Sequence, residues 1–199
     1  MGFSMEVKIK SVCVFCGSRV GDNPAYALAA SRLGTLLASK NIQLVYGAGN
    51  IGLMGLVADA CLAANGKVVG VIPTKLVEKE VAHKGLTELI VVESMHERKA
   101  LMAMKSDAFV ALPGGFGTCD ELFEILTWAQ LGIHHKPIGI LNTDGFFNPL
   151  LAWIDQMIDQ GFVKQRFKEL LLVAEKPDEL MELVFKGSKI REVEIDITP

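Results

Sequence analysis

Long apolar runs are missing from this sequence, and so is any marked excess of charge. The longest apolar stretches, such as KVVGVIP (67–73), have the length of a β-strand and are far too short to span a bilayer. Twenty lysines and arginines stand against twenty-three aspartates and glutamates, a net charge of −3. That balance leaves no basic footprint for nucleic acid and no cationic face for an anionic membrane. The amino-terminal MGFSMEVKIK lacks the apolar core of a secretory signal. Gly2 alone hints at myristoylation, but Glu6 stands where that motif needs Ser or Thr.

Cysteine is also sparse, at four residues. Cys13 and Cys16 form a CxxC, yet they sit in the strand-like SVCVFCGS, where residues three apart face opposite sides. No second CxxC exists, and Cys61 and Cys119 stand alone. This excludes a disulfide framework, argues against a zinc site, and points to reduced thiols in the cytoplasm. No metal and no cofactor are expected.

What is present is a pattern. The 199 residues are half hydrophobic and 22% charged, enough for one domain with a sizeable core. There is no linker and no internal repeat; residues 1–8 and 188–199 read as peripheral tails on a single domain, 1–199. Strand candidates fall at 11–18, 42–49, 67–73, 88–94, 107–115, 136–142 and 170–175. Most are continuous apolar runs, as expected of strands buried on both faces. Helices are predicted between them. One runs over 24–39, with Asn23 as N-cap and Pro24 at the first position. Another covers 53–65 and ends at Gly66 as the left-handed glycine. A third covers 95–106, capped by Ser94 with Glu97 completing a capping box. Others span 118–131 before Gly132, 148–160 before Gly161, and 177–186 before Gly187. The repeated β-α order predicts an α/β fold: a doubly wound, mostly parallel sheet of about seven strands, helices on both faces, Rossmann-like. The irregular segment 74–87 joins the third strand to the fourth, and in such a sheet is expected to cross between its halves. It reads equally as a lid or as a solvated loop.

Ligands of such sheets bind beyond the carboxyl ends of the strands, where strand order reverses. With the order 3-2-1-4-5-6, the turns after strands 1, 2, 4 and 5 share one edge. They read CGSRVGDN, GAGNIGLMG, ESMHERK and PGGFGTCDE. The second contains G-x-G-x-x-G (Gly47, Gly49, Gly52), but it follows the second strand, and VVGVIPTK holds no acid for a ribose. A dinucleotide is therefore disfavoured, and without G-K-[ST] there is no P-loop. Backbone N–H groups at helix starts, able to bind a phosphate, remain as one reading, and tight helix–strand packing as the other. In PGGFGTCDE, Gly114, Gly115 and Gly117 let backbone approach a ligand. Thr118 is expected to cap the next helix or donate to a phosphate. Glu121, one turn in, either complements the helix dipole or performs acid–base work. Arg98 and Lys99, cations in the first turn of their helix, make sense if an anion arrives there. His134 and His135 read as structural or surface residues, and His96 as a weak candidate. Met95, Met102 and Met104 read as packing or an oligomer interface.

PGGFGTCDE together with SMHERKALM resembles the two signatures, PGGxGTxxE and a helix containing ERKA, of the LOG (Lonely Guy) cytokinin-activating phosphoribohydrolases. Relatives of these were once labelled lysine decarboxylases. The similarity runs from CVFCGSR through YGAGNIGLMG to TWAQLGIHHKPIGILN. It implies hydrolysis of the N-glycosidic bond of an adenosine-type 5′-monophosphate to free base and ribose 5-phosphate, by a homodimer without metal. By position, Arg98 and Glu121 match the catalytic pair. Glu80, Lys99, Gly115 to Glu121 (with Phe116, Gly117, Thr118, Cys119 and Asp120) and Thr127 match substrate contacts. Gly17, Ser18, Gly49 and Gly114 join them from the convergent turns. Phe116 stands where the family often has Tyr, and Cys119-Asp120 where Leu-Glu is common, which leaves base preference open. Similar PGGxGT loops occur in molybdenum-cofactor carrier-like proteins, so a non-catalytic nucleotide binder is the alternative. The ERK helix and the spacing to Glu121 favour the enzyme, and nothing marks a pyridoxal-phosphate lysine.

Overall fold

The computed structural model describes residues 9–77 and 82–187. Seven parallel strands form one sheet: β1 (Ser11–Phe15), β2 (Gln43–Tyr46), β3 (Val68–Pro73), β4 (Glu88–Val92), β5 (Ala108–Ala111), β6 (Ile138–Leu141) and β7 (Leu171–Ala174). Among the described residues, six α-helices cover it: α1 (Pro24–Ser39), α2 (Gly52–Ala63), α3 (Met95–Met104), α4 (Phe116–Gln130), α5 (Asn148–Asp159) and α6 (Pro177–Gly187). The α/β class, the parallel sheet and the strand count agree with the sequence pattern.

The strand order is β4-β3-β2-β1-β5-β6-β7. This corrects the expected order in one respect. The strand at 88–92 continues outward beside β3, as the Val71↔Ile90 register shows, and does not flank β1. The reversal therefore lies between β1 and β5, paired through Val14↔Val110. It is α3, and not the 74–87 segment, that crosses between the halves of the sheet. As an edge strand, β4 is mostly exposed, unlike the fully buried β1, β5 and β6.

Two cores result from the alternation of side chains along each strand. Val12 and Val14 join the α1, α2 and α6 side, while Cys13 and Phe15 join the α3, α4 and α5 side. Cys13 and Cys16 accordingly lie in different cores, and all four cysteines are free thiols. Phe109, fully buried, stacks on Phe15 at 6.0 Å between ring centroids. Burial of a side chain of this size contributes about 1.5–3 kcal/mol.

The caps explain where the helices begin and end. The Asn23 side chain accepts from the Ala25 N–H, with Pro24 at the first position. Ser94 accepts from the Glu97 N–H, and the Glu97 carboxylate accepts from the Glu93 N–H, one residue before the expected partner of a capping box. At the end of α2 the left-handed residue is Asn65 (φ 61°), not Gly66, whose N–H returns to the Cys61 carbonyl. Asn tolerates that conformation better than most residues. Gly132 and Gly161 take the left-handed positions expected of them. Helix α4 starts at Phe116, two residues earlier than expected, with Gly115 at the N-cap. Thr118 therefore lies inside the helix, buried, and does not cap it.

Candidate active site

Each strand run predicted with a glycine-rich tail ends short of that tail, and the tails form the site. The turns after β1 and β5 are neighbours because their strands are. The Gly17 N–H donates to the Pro113 carbonyl at 3.0 Å, and the Leu112 N–H to the Phe15 carbonyl at 2.9 Å. The Gly17 carbonyl accepts from the N–H groups of Leu53 (3.0 Å) and Met54 (3.3 Å), drawing the start of α2 into the same junction. Those two α2 donors are thus spent within the protein, so the packing reading of GAGNIGLMG holds for them. A side chain at Gly114 would collide with the Thr118 hydroxyl and lie 2.9 Å from the Gly17 nitrogen. Gly114 is a packing glycine. Gly115 and Gly117 differ: a Cβ on either would meet nothing within 4 Å, because both face an open cleft.

That cleft has a volume of about 240 Å³. Gly17 and Ser18 line it from the β1 turn, and Arg98 from α3. Gly115, Phe116, Gly117, Thr118, Asp120 and Glu121 line it from the start of α4. The first N–H groups of a helix have no partner within it. In α4 these belong to Phe116, Gly117 and Thr118, and the first backbone bond back is the Cys119 N–H to the Gly115 carbonyl at 3.1 Å. Together with the helix dipole they make this end of α4 suited to an anion.

Arg98 is only 5% exposed. Its Nη2 donates to the Gly47 carbonyl at 3.3 Å, and Nη1 lies 3.8 Å from the Met95 sulfur. Any side chain at Gly47 would occupy the space of that guanidinium, which is the reason for this glycine. Glu121 lies six residues into α4 and is half-buried. Its charge is felt by the thiols behind it: burial first, and the Glu121 carboxylate second, push Cys13 and Cys16 well above the ordinary thiol range. The Arg98 cation opposes this at Cys13. A cation and a carboxylate therefore share the cleft with the anion-binding end of α4.

Not every expected residue comes to this cleft. Lys99 is turned to α4, where its Nζ lies 3.1 Å from Asp120 and 3.0 Å from Glu124. The anion it awaits in the first turn of α3 includes the protein's own carboxylates. Thr127 bonds its hydroxyl to the Phe123 carbonyl at 2.7 Å and lines a separate apolar groove near Trp153. Cys119 is half-exposed outside the cleft lining. Gly49 pairs with Ala82 in an isolated antiparallel bridge. Glu80 lies outside the described residues. His134 is structural: Nε2 bonds the Ile125 carbonyl and Nδ1 accepts from the Lys136 N–H. His96 is exposed.

Three lining residues, Cys16, Met54 and Met95, are not among the expected contacts. All three lie within the convergent turns CGSRVGDN, GAGNIGLMG and ESMHERK, which is their sequence clue. Among the described residues, no group of three His, Cys, Asp or Glu side chains could hold a metal ion. No helix among them is long and apolar enough to cross a membrane.

Comparison with known proteins agrees with this geometry. Residues 54–184 match the family model described as "Possible lysine decarboxylase". The cytokinin riboside 5′-monophosphate phosphoribohydrolase LOG1 of Arabidopsis thaliana is 48% identical over 178 residues, covering 89% of this chain and 84% of its own. The "Probable cytokinin riboside 5'-monophosphate phosphoribohydrolase LOGL2" of Oryza sativa subsp. japonica is also 48% identical, over 89% of this chain and 73% of its own. Among solved structures, the molybdenum cofactor binding protein of Rippkaea orientalis superposes with a TM-score of 0.69 at 22% identity, covering 90% of this chain and 98% of its own. The molybdenum cofactor carrier protein of Chlamydomonas reinhardtii superposes equally well at 20% identity. At those identities the likeness is one of fold. The extended identity with the phosphoribohydrolases, together with the family model, decides the relationship: the chain belongs to the LOG family of phosphoribohydrolases, whose family model carries the older decarboxylase description.

Proposed function

We propose that this protein hydrolyses the N-glycosidic bond of adenosine-type 5′-monophosphates, including N6-modified ones, to the free base and ribose 5-phosphate. The observation that carries this reading is the placement of Arg98 and Glu121 in one cleft with the amino end of α4. The 5′-phosphate binds at Gly115 to Thr118, where N–H groups and the helix dipole favour an anion. Binding energy from the phosphate, remote from the bond being broken, holds the ribose in place for reaction.

Cleavage of the C1′–N bond leaves positive charge on the ribose ring, as in other glycosyl hydrolyses. The Glu121 carboxylate stabilises that charge and orients a water toward C1′. The water oxygen bonds to C1′, the bonding pair of the broken bond leaves on the base nitrogen, and a proton from water completes the free base. Arg98, seated on the Gly47 carbonyl, holds the substrate against α4. Phe116, almost wholly exposed at the mouth, offers an apolar face to a purine. The cleft lining contains no lysine among its described residues, which gives a pyridoxal-phosphate decarboxylase no Schiff-base partner there.

The protein acts as a homodimer in the cytoplasm. Leu89, Val91, Met95 and Met104 are exposed along the β4 edge and α3, and the four free thiols suit a reducing compartment. Chromatography after incubation with AMP, isopentenyladenosine monophosphate and adenosine tests the activity. Free base from the two monophosphates and little from adenosine is expected. Equal release from AMP and adenosine contradicts the phosphate site; no release from any of them makes the protein a carrier.

A further inference from the structure

His83 is buried, yet it belongs to no motif of the site. Both its ring nitrogens and its backbone N–H are engaged. Its Nδ1 accepts from the Gly85 N–H at 3.0 Å, so Nε2 carries the proton and donates to Asp59 of α2 at 2.9 Å. Its backbone N–H donates to the Ala48 carbonyl at 3.0 Å, and the adjacent Ala82 pairs with Gly49. The residues gripped in this way, Ala48 and Gly49, directly follow Gly47. Ala48 is fully buried in the left-handed region (φ 63°), a conformation unfavourable for a residue with a Cβ that persists only where the surroundings hold it.

We infer that His83 is a positioning residue for Arg98. Together with Asp59 it clamps the Ala48 turn, and that turn aims the Gly47 carbonyl at the Arg98 guanidinium. The chain of contacts is continuous: Asp59 to His83, His83 to Ala48, Ala48 to Gly47, Gly47 to Arg98. Arg98 is packed so closely on Gly47 that a shift of this turn moves the guanidinium. Misplacement of a reacting group by about 1 Å can cost on the order of a hundredfold in rate. The inference rests on the proposed role of Arg98 in nucleotide hydrolysis.

The test compares His83→Ala, His83→Gln, Asp59→Ala and Arg98→Ala, with kcat and KM for AMP measured per folded enzyme. The Asp59 side chain is 63% exposed, so its removal leaves the core intact even if His83→Ala fails to fold. A fall in kcat of about tenfold or more, with KM within about twofold, is expected for His83→Ala and Asp59→Ala. His83→Gln keeps a donor toward Asp59 and is expected to recover most of the rate. Turnover lost in Arg98→Ala but retained in Asp59→Ala and His83→Ala overturns the clamp alone. Turnover retained in Arg98→Ala overturns the site reading and the clamp with it. A loss confined to thermal stability also overturns the clamp, since it marks a structural role only.

Discussion

Lys99 and Asp120 join the two helices that carry Arg98 and Glu121, with 3.1 Å between the ammonium and the carboxylate. Each member of the pair is the immediate chain neighbour of a proposed catalytic residue. Glu124 adds a second carboxylate at 3.0 Å, and the Lys99 side chain is only 12% exposed. Lys99→Met is expected to destabilise the fold by ~1–2 kcal/mol, between the values for exposed and buried pairs. Its kcat should fall more than its stability loss explains, because α3 and α4 are no longer tied. Thermal melts read beside steady-state rates check this.

The same contact has an alkaline signature. Partial burial opposes the Lys99 charge, but the hydrogen bonds it donates to Glu124 and Asp120 outweigh this and raise the ammonium above its ordinary 10.5. A group raised in the folded state contributes stability fully below its unfolded value and loses it as pH rises through the folded one. Denaturant melts should therefore show wild type losing stability above about pH 10.5, and Lys99→Met losing less.

The glycines of PGGFG divide into two kinds, and alanine substitution separates them. Gly114→Ala places a Cβ against Thr118 and Gly17 and should destabilise the whole junction. Gly117→Ala meets no atom and improves helix propensity, a gain of up to about 1 kcal/mol. It nonetheless projects a methyl group into the phosphate end of the cleft. A more stable protein with weaker AMP binding is expected, measured by calorimetry and melting. Unchanged affinity in Gly117→Ala contradicts the phosphate site at α4.

Thiol chemistry reports the same geometry. Burial pushes Cys61 up to about 11, and burial together with the Glu121 charge holds Cys13 and Cys16 well above the ordinary thiol range. Thiols held protonated do not react. Titration of the native protein with a thiol reagent at pH 8 should label Cys119 rapidly and the other three only on unfolding. Rapid labelling of Cys16 would contradict the packed floor of the cleft.

Much of the fold was legible because its signals are local. Apolar runs of strand length, glycines after helices, and the Asn23 and Ser94 caps all state their structure within a few residues. Strand order is different. The segment at 88–92 pairs with β3 through contacts that its own residues do not encode, although Glu88 at its start and Glu93 just beyond its end fit an edge strand. Lys99 shows a related limit. A cation in the first turn of a helix lacks an anion by local reasoning, yet Asp120 and Glu124 supply one from another helix. The PGGxGT and ERK motifs point to Arg98, Glu121 and the α4 turn, and all three line one cleft. His83 carries no local signal because its clamping contacts are wholly tertiary: Asp59 on α2 and Ala48 in a turn far along the chain.

The most direct measurement compares AMP hydrolysis and AMP binding in Glu121→Gln. The substitution keeps the shape and removes the charge. Hydrolysis, followed by chromatography of free adenine, should fall by roughly 10²–10⁴-fold, the usual scale for a positioned carboxylate. Binding of AMP, followed by calorimetry, should stay within a few-fold of wild type. Turnover near the wild-type rate in Glu121→Gln would contradict the proposal that this carboxylate drives cleavage of the glycosidic bond.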